Sequence, residues 1–404
     1  MGLKIGVCGV GMFGGAFVRL FKAHPLVDEV SIADLFPERL AEQAARFGVD
    51  RTFRSLDELC ASDVDAIAII TQRWLHGPQA LQALRAGKHV YSAVPTAVTL
   101  QELEALVRAV EETGLTYMLG ETSYYYPTTV YCRERFKNGD FGRFVYAEAE
   151  YYHDMSHGFY EAYQHSGGAE WKRYAGFPPM LYPTHSVSMV LSVTGARMTQ
   201  VSCLGFIDAH EDGVFRVDAN MWQNVYSNES GLFRTSDGGI CRINEFRRVG
   251  QCGRSVRMSL YGTEASYEEQ ANAQVWVTRA RQIEDVSALL TCAPQASVDD
   301  DEQLHAALRQ DFHSGLAPVH RRERLPEAFR GLPNGHEGSH QFLVDDFVKS
   351  VTRGVLPPNH IWAATRYCAP GIVAHESARR EGEVLPIPDF GGPPLGARLL
   401  AEQL

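Results

Sequence analysis

The segment Gly6-Val-Cys-Gly-Val-Gly-Met-Phe-Gly-Gly15 constrains this chain of 404 residues more than any other. Gly9, Gly11 and Gly14 stand in G-x-G-x-x-G order. The apolar run Lys4–Val10 before them predicts a strand, and Gly11–Ala23 predicts a helix. In such a turn the first glycine permits the tight bend. The second lets backbone approach a pyrophosphate, and the third lets the helix close on the strand. The helix start offers free N–H groups and partial positive charge to that pyrophosphate. Asp34 ends the second predicted strand, Glu29–Asp34, 20 residues after Gly14. A carboxylate there accepts ribose hydroxyls and repels a 2′-phosphate, so the pattern predicts NAD rather than NADP. Gly9, Gly11, Met12, Phe13, Gly14 and Asp34 form the cofactor-binding set expected from the turn.

The alternation continues through helix Pro37–Arg46, strand Asp65–Thr71, helix Pro78–Ala86, strand Lys88–Ala93, helix Leu100–Thr113 and strand Thr116–Gly120. Strands alternating with helices predict a doubly wound parallel sheet of Rossmann type. After about residue 125 the texture changes. A helix over Thr128–Asn138 leads to a strand over Arg143–Tyr152, and a helix is expected after His185. Further strands are expected over Gln200–Ile207, Asp218–Tyr226, Gly231–Thr235, Gly239–Arg247, Val256–Tyr261 and Ser266–Thr278. The expected organisation is therefore α/β. Residues 1–123 form a dinucleotide-binding Rossmann domain, and residues 124–404 a substrate-binding and oligomerisation α+β domain with a large open, mostly antiparallel sheet. Closing helices over Gln341–Arg353 and Trp362–Arg380 are free to pack back on the first domain. Residues 293–335, with acidic Asp299–Glu302 and basic Arg321–Arg324, read as a solvated loop.

Charge narrows the partners. Lys and Arg total 38 against 49 Asp and Glu, a formal −11, which disfavours nucleic acid and anionic membranes. No apolar run is long enough to span a bilayer. The start of the chain lacks the pattern of a secretion signal. Eight cysteines without a CxxC pair read as free thiols in a reducing cytoplasm, with no zinc site.

Several segments carry a resemblance: GVCGVGMFG, IITQRWLH, ALRAGKHVY, RFKNGDFGRFVYAEAEYYHD and LYGTEAS. With them the chain resembles the Gfo/Idh/MocA oxidoreductases. The resemblance implies nicotinamide-dependent hydride transfer at a carbinol carbon of a sugar or polyol, and a dimer or tetramer built through the second-domain sheet. It places Thr71, His76, Val94 and Pro95 along the cofactor. Two departures stand out. Val94 occupies the place of the family's Lys in Lys-Pro, and Tyr182-Pro-Thr-His185 replaces D-x-G-x-H. Val-Pro together with YPTH is similar to the NAD-dependent α-N-acetylgalactosaminidase branch. That branch oxidises, eliminates, hydrates and reduces within one turnover. This likeness extends to Glu121, His153, Tyr182 and His185.

The residues support an acid/base set on their own terms. Oxidising an alcohol needs a base near the hydroxyl, and elimination needs a second base and an acid. Tyr182 and His185 are spaced to face one side of a helix start, and a phenol there needs a nearby cation to act as a base. His153 adjoins Asp154, which can orient the imidazole, and Glu121 closes the last strand of the parallel sheet. His153 and His157 have the i, i+4 spacing of metal ligands with Asp154 nearby, but the sequence shows no further ligand, and no metal site is expected. Lys172 is a candidate for the missing cation, with Trp171 and Tyr124 as aromatic contacts to a carbohydrate. His336 and His340 lie within reach of the same pocket. Three functions follow: a sugar or polyol oxidoreductase, a glycosidase that recycles its NAD, and a non-catalytic NAD-binding protein.

Overall fold

The computed structural model describes residues 2–251, 254–294 and 314–400. The acidic run Asp299–Glu302 and Cys252 lie outside the described residues.

Six strands form the first sheet: β1 (Leu3–Cys8), β2 (Val27–Ala33), β3 (Thr52–Phe53), β4 (Ala66–Ile69), β5 (His89–Ser92) and β6 (Tyr117–Leu119). They pair in parallel in the order β3-β2-β1-β4-β5-β6, so the order reverses between β1 and β4. Ala66 to Ile69 are all buried, as a parallel strand covered on both faces requires. The helix Leu100–Thr113 shows why the local reading succeeds. The Thr99 hydroxyl accepts from the Glu102 amide, the Glu102 carboxylate accepts from the Val98 amide, and Gly114 ends the helix in left-handed conformation. The short β3 and the helix Leu56–Ala61 are additions, since neither is long enough to show a period.

The second sheet contains β7 (Phe144–Tyr152), β8 (Met198–Ile207), β9 (Tyr226–Thr235), β10 (Ile240–Phe246), β11 (Val256–Gly262), β12 (Ala265–Glu269), β13 (Gln274–Thr278), β14 (Ile283–Asp285) and β15 (Leu385–Pro386). Their order is β14-β13-β12-β11-β7-β10-β9-β8-β15. All described pairs are antiparallel except β7 with β10. One face packs against the helices Pro127–Lys137, Thr184–Thr194 and Ile361–Arg379 through Val187, Val190, Ile243, Met258 and Leu260. The other face leaves Leu204, Phe206 and Leu232 exposed.

Four expectations are corrected. Asp218–Tyr226 is not a strand. Asn220 donates to the Val214, Arg216 and Asn224 carbonyls and folds the segment into turns, so pairing begins only at Tyr226. Ser266–Thr278 is two strands, reversed where the Gln270 amide meets the Ala273 carbonyl at 2.8 Å. The helix expected after His185 starts at Thr184 and includes it. The run Arg321–Arg324 is not simply solvated: Arg324 is largely buried and pairs with the fully buried Asp346, and its Nη1 donates to the Tyr125 hydroxyl at 2.8 Å.

The closing helices do return to the first sheet. Phe342, Leu343 and Phe347 of His340–Arg353 share a core with Phe17, Phe21 and Tyr91. Residues 153–175 add unexpected helical turns, Met155–Phe159, Tyr160–Gly167 and Trp171–Ala175. These close a small core of their own with Val214 and Phe215.

Candidate active site

The glycine turn has the form its sequence demands. Gly9 has φ +88°, and a Cβ on Gly14 would stand 1.9 Å from the Gly9 carbonyl oxygen. A Cβ on Gly11 would meet nothing within 4 Å, which leaves open space above the turn. The helix Met12–Ala23 has no side-chain cap, so its leading amides remain available to an anion. Met12 is exposed there. The Phe13 ring instead packs edge-on against His336 and His340, whose rings meet at 2.8 Å. Asp34 accepts from the Val10 amide through Oδ2 and from the Phe36 amide through Oδ1. Lone pairs are left over for ribose hydroxyls. Arg39 stands 3.7 Å from Asp34 Oδ1. This open cradle, with free amides on one side and a carboxylate on the other, fits a dinucleotide.

Beyond β4, the Thr71 hydroxyl bonds the Gln79 side chain, and the His76 ring lies between the Pro95 and Thr71 carbonyls at 3.0 and 3.2 Å. Burial pushes the His76 pKa down to about 4 despite those carbonyls, so the ring is neutral. Val94 and Pro95 are joined by a cis peptide, and Val94 is buried in the core. The place of a lysine is thus filled by an apolar side chain.

Three edges converge on the acid/base set. β6 ends at Glu121. The helix Thr184–Thr194 presents His185 in its first turn, with Tyr182 just before it. The parallel pair β7/β10 ends side by side, with the His153 amide on the Phe246 carbonyl at 3.0 Å. Glu121 is fully buried and its Oε1 accepts from His185 Nδ1 at 2.6 Å, and from the Ser123 amide and hydroxyl. Burial alone would raise the Glu121 carboxyl, but the His185 ring and the Ser123 amide hold it below the usual range. The Ser123 hydroxyl bonds the His185 carbonyl at 2.7 Å and so ties β6 to the helix. Only Nδ1 of His185 is engaged, and Nε2 has no protein hydrogen bond among the described residues. The His185 ring lies 5.3 Å from both the Tyr151 and Tyr182 rings. His153 stacks on Tyr151 at 5.5 Å, and burial followed by the charges of Arg247 and Arg73 keeps it neutral.

The other sequence candidates lie elsewhere. Lys172 is exposed on the added helical turns, with Nζ on the Asp212 carbonyl at 2.8 Å, and Trp171 packs edge-on against Tyr160. Tyr124 is buried under Arg133, whose guanidinium sits 4.0 Å from its ring. Asp154 is taken up by the Ser156 and Val249 amides.

Two cations in the cluster were not foreseen. The Arg73 guanidinium lies 4.6 Å from the Tyr182 ring and 5.1 Å from Phe159, and it donates to the Tyr163 hydroxyl. Arg247 lies 4.7 Å from Tyr151 and 3.4 Å from the buried Glu245. Tyr182 is pushed up to about 12, because burial outweighs both guanidiniums. It is therefore a neutral phenol with a proton to donate, while His185 Nε2 stands unengaged beside it. Arg73 was signalled, since it follows the buried strand inside IITQRWLH. Arg247 was not, because only the non-local pairing of β7 with β10 delivers it.

The fold and the glycine turn define an NAD-binding oxidoreductase of α/β type. Residues 3–121 match the Gfo/Idh/MocA family model, described as oxidoreductase family, NAD-binding Rossmann fold, and they form a domain of that family. Over 96% of this chain and 77% of the relative, the sequence is 24% identical to a glycosyl hydrolase family 109 protein of Streptomyces niveus. It is 25% identical to the 2,7-anhydro-N-acetylneuraminate hydratase of Escherichia coli, over 59% of this chain and 62% of that protein. The fold matches levoglucosan dehydrogenase solved with NADH and levoglucosan at TM-score 0.73 and 20% identity, covering 96% of this chain and 100% of that one. No helix among the described residues is long and apolar enough to cross a membrane.

Proposed function

We propose that the whole chain is a Gfo/Idh/MocA-type oxidoreductase that moves hydride between a carbinol carbon of a sugar or polyol and nicotinamide. In this reading residues 1–123 bind the dinucleotide and residues 124–404 hold the substrate and carry a dimer or tetramer contact through the second sheet. Bound NAD supplies the hydride acceptor. Gly9, Gly11, Met12, Phe13, Gly14 and Asp34 hold its pyrophosphate and ribose, and Thr71, His76, Val94 and Pro95 line its path past β4 and β5. The single observation that carries the proposal is the Glu121–His185 pair at 2.6 Å beside Tyr182. Glu121 fixes the imidazole with Nδ1 inward, so Nε2 takes the hydroxyl proton. Tyr182 steadies the same oxygen as a donor, and His153 stays neutral at the rim.

A second reading is favoured by the family 109 likeness, which runs along nearly the whole chain. There the same pair serves a redox-neutral cleavage: oxidation at C3, loss of the acidified C2 proton, elimination of the aglycone from C1, addition of water and reduction of the C3 ketone. One experiment separates them. Purified protein is given free sugars and chromogenic glycosides while NADH absorbance and released chromophore are followed together. NADH in proportion to product supports the oxidoreductase, and chromophore without net NADH supports the glycosidase. Neither signal from any compound, with NAD bound, leaves the non-catalytic role.

A further inference from the structure

We propose that the substrate of this site is an acidic sugar whose carboxylate is held by Arg73, with Arg247 adding positive charge from the second sheet. The inference rests on the sugar-oxidoreductase reading and names the substrate class that reading leaves open.

Arg73 follows β4, beside the point where the first sheet reverses its strand order and where such folds bind ligands. Its guanidinium is packed among the rings of Tyr182, Phe159 and Tyr163. No carboxylate among the described residues lies within ion-pair distance of it, and it donates to the Tyr163 hydroxyl. Arg73 is half-buried and an arginine does not shed its proton, so a partly desolvated cation without a counter-ion is held at some cost. That cost is offset when an anion enters. Arg247 borders the same rings, at 4.7 Å from Tyr151 and 5.7 Å from Phe159. Its own counter-ion, Glu245, stands behind it at 3.4 Å and also accepts from the Ser186 hydroxyl. Burial pushes the Glu245 carboxyl up to about 8, which weakens it as a compensating charge near neutrality. The other carboxylate of the cluster, Glu121, is occupied by His185 on the far side of that ring. In a chain of formal charge −11, this cluster of rings therefore gathers two guanidiniums.

The spacing suits one sugar ring. Tyr182 lies between Arg73 and His185, at 4.6 Å from the guanidinium and 5.3 Å from the imidazole. A carboxylate anchored bidentately on Arg73 lays its ring across Tyr182 and brings a distal hydroxyl to His185 Nε2.

The test uses the NAD-loaded full-length chain and calorimetric titration. The ligands are D-glucuronate, D-galacturonate, D-mannuronate and N-acetylneuraminate, each paired with its neutral amide. At least one acid is expected to bind about tenfold or more tightly than its amide, the range of a charge-assisted hydrogen bond. R73Q is expected to erase that preference, R73K to keep part of it, and both to leave NAD affinity within about twofold. Equal affinity of acid and amide throughout the panel, or no binding by any acid, overturns the proposal. It is also overturned if R73Q and R73K weaken NAD as much as they weaken the acid, since the arginine then serves the dinucleotide. If the acid preference and its loss in R73Q hold while no bound sugar reduces NAD, the oxidoreductase reading fails and the anion site stands.

Discussion

At the scale of single residues the site is a chain of enforced choices. Glu121, fully buried, needs a donor, and His185 provides it through Nδ1; that leaves Nε2 for chemistry. In the proposed mechanism, removing the ring removes the base without touching the glycine turn. His185→Ala is expected to lower turnover by about 10²-fold or more and to leave NAD binding unchanged, as read by steady-state kinetics beside a fluorescence titration of the dinucleotide. Unchanged turnover returns His185 to a purely structural role. The YPTH segment singles this histidine out in the sequence, because a motif names residue types along the chain. Lys172 was a candidate cation and is solvated in the structure; the cation beside Tyr182 is Arg73. Lys172 sits on helical turns whose course depends on Val214 and Phe215, some 40 residues away in sequence.

At the scale of elements, the second sheet decides two things. Its single parallel pair brings the ends of β7 and β10 to one edge, which sets His153 and Arg247 together. Its uncovered face carries Leu204, Phe206 and Leu232 at 64%, 60% and 54% exposure, beside the ion-paired rows Glu148–Arg242 and Glu150–Arg257. Apolar side chains at that exposure on a broad face suit a second copy of the chain. Phe206→Glu with Leu232→Glu is expected to convert the proposed oligomer to monomer in light scattering, while circular dichroism stays unchanged. An oligomer that survives both charges places the interface elsewhere. The strands themselves were legible wherever apolar and polar residues alternate. Asp218–Tyr226 failed because Asn220 satisfies three carbonyls locally, and no alternation pattern reveals that competition.

At the scale of the whole molecule, burial sets how stability responds to acid. His76, His320 and His360 are each pushed down to about 4, chiefly by burial, from an ordinary value of 6.5. The unfolded chain takes up these protons first as the pH falls. The stability contributed by the neutral rings is therefore present above about pH 6.5 and is lost progressively toward pH 4. Chemical denaturation at pH 7.5, 6 and 5 is expected to show a falling midpoint, with part of the loss recovered in His320→Gln. A flat profile contradicts the burial of these rings. His360 also joins the halves, since it pairs with Met118 of β6 and caps the helix Ile361–Arg379.

The sequence alone determined the glycine turn, Asp34, the parallel sheet around them and the histidine of YPTH. Each is written in spacing over a few residues, and local sterics and hydrogen bonding act over that range. Only the tertiary structure decided that Arg73 and Arg247 share one cluster of rings, that Glu121 pairs with His185, and that His336 and His340 clasp Phe13 beside the turn. Those are meetings of residues far apart along the chain. Strand pairing and helix docking bring them about, and the free energy that selects them belongs to surfaces no single segment contains.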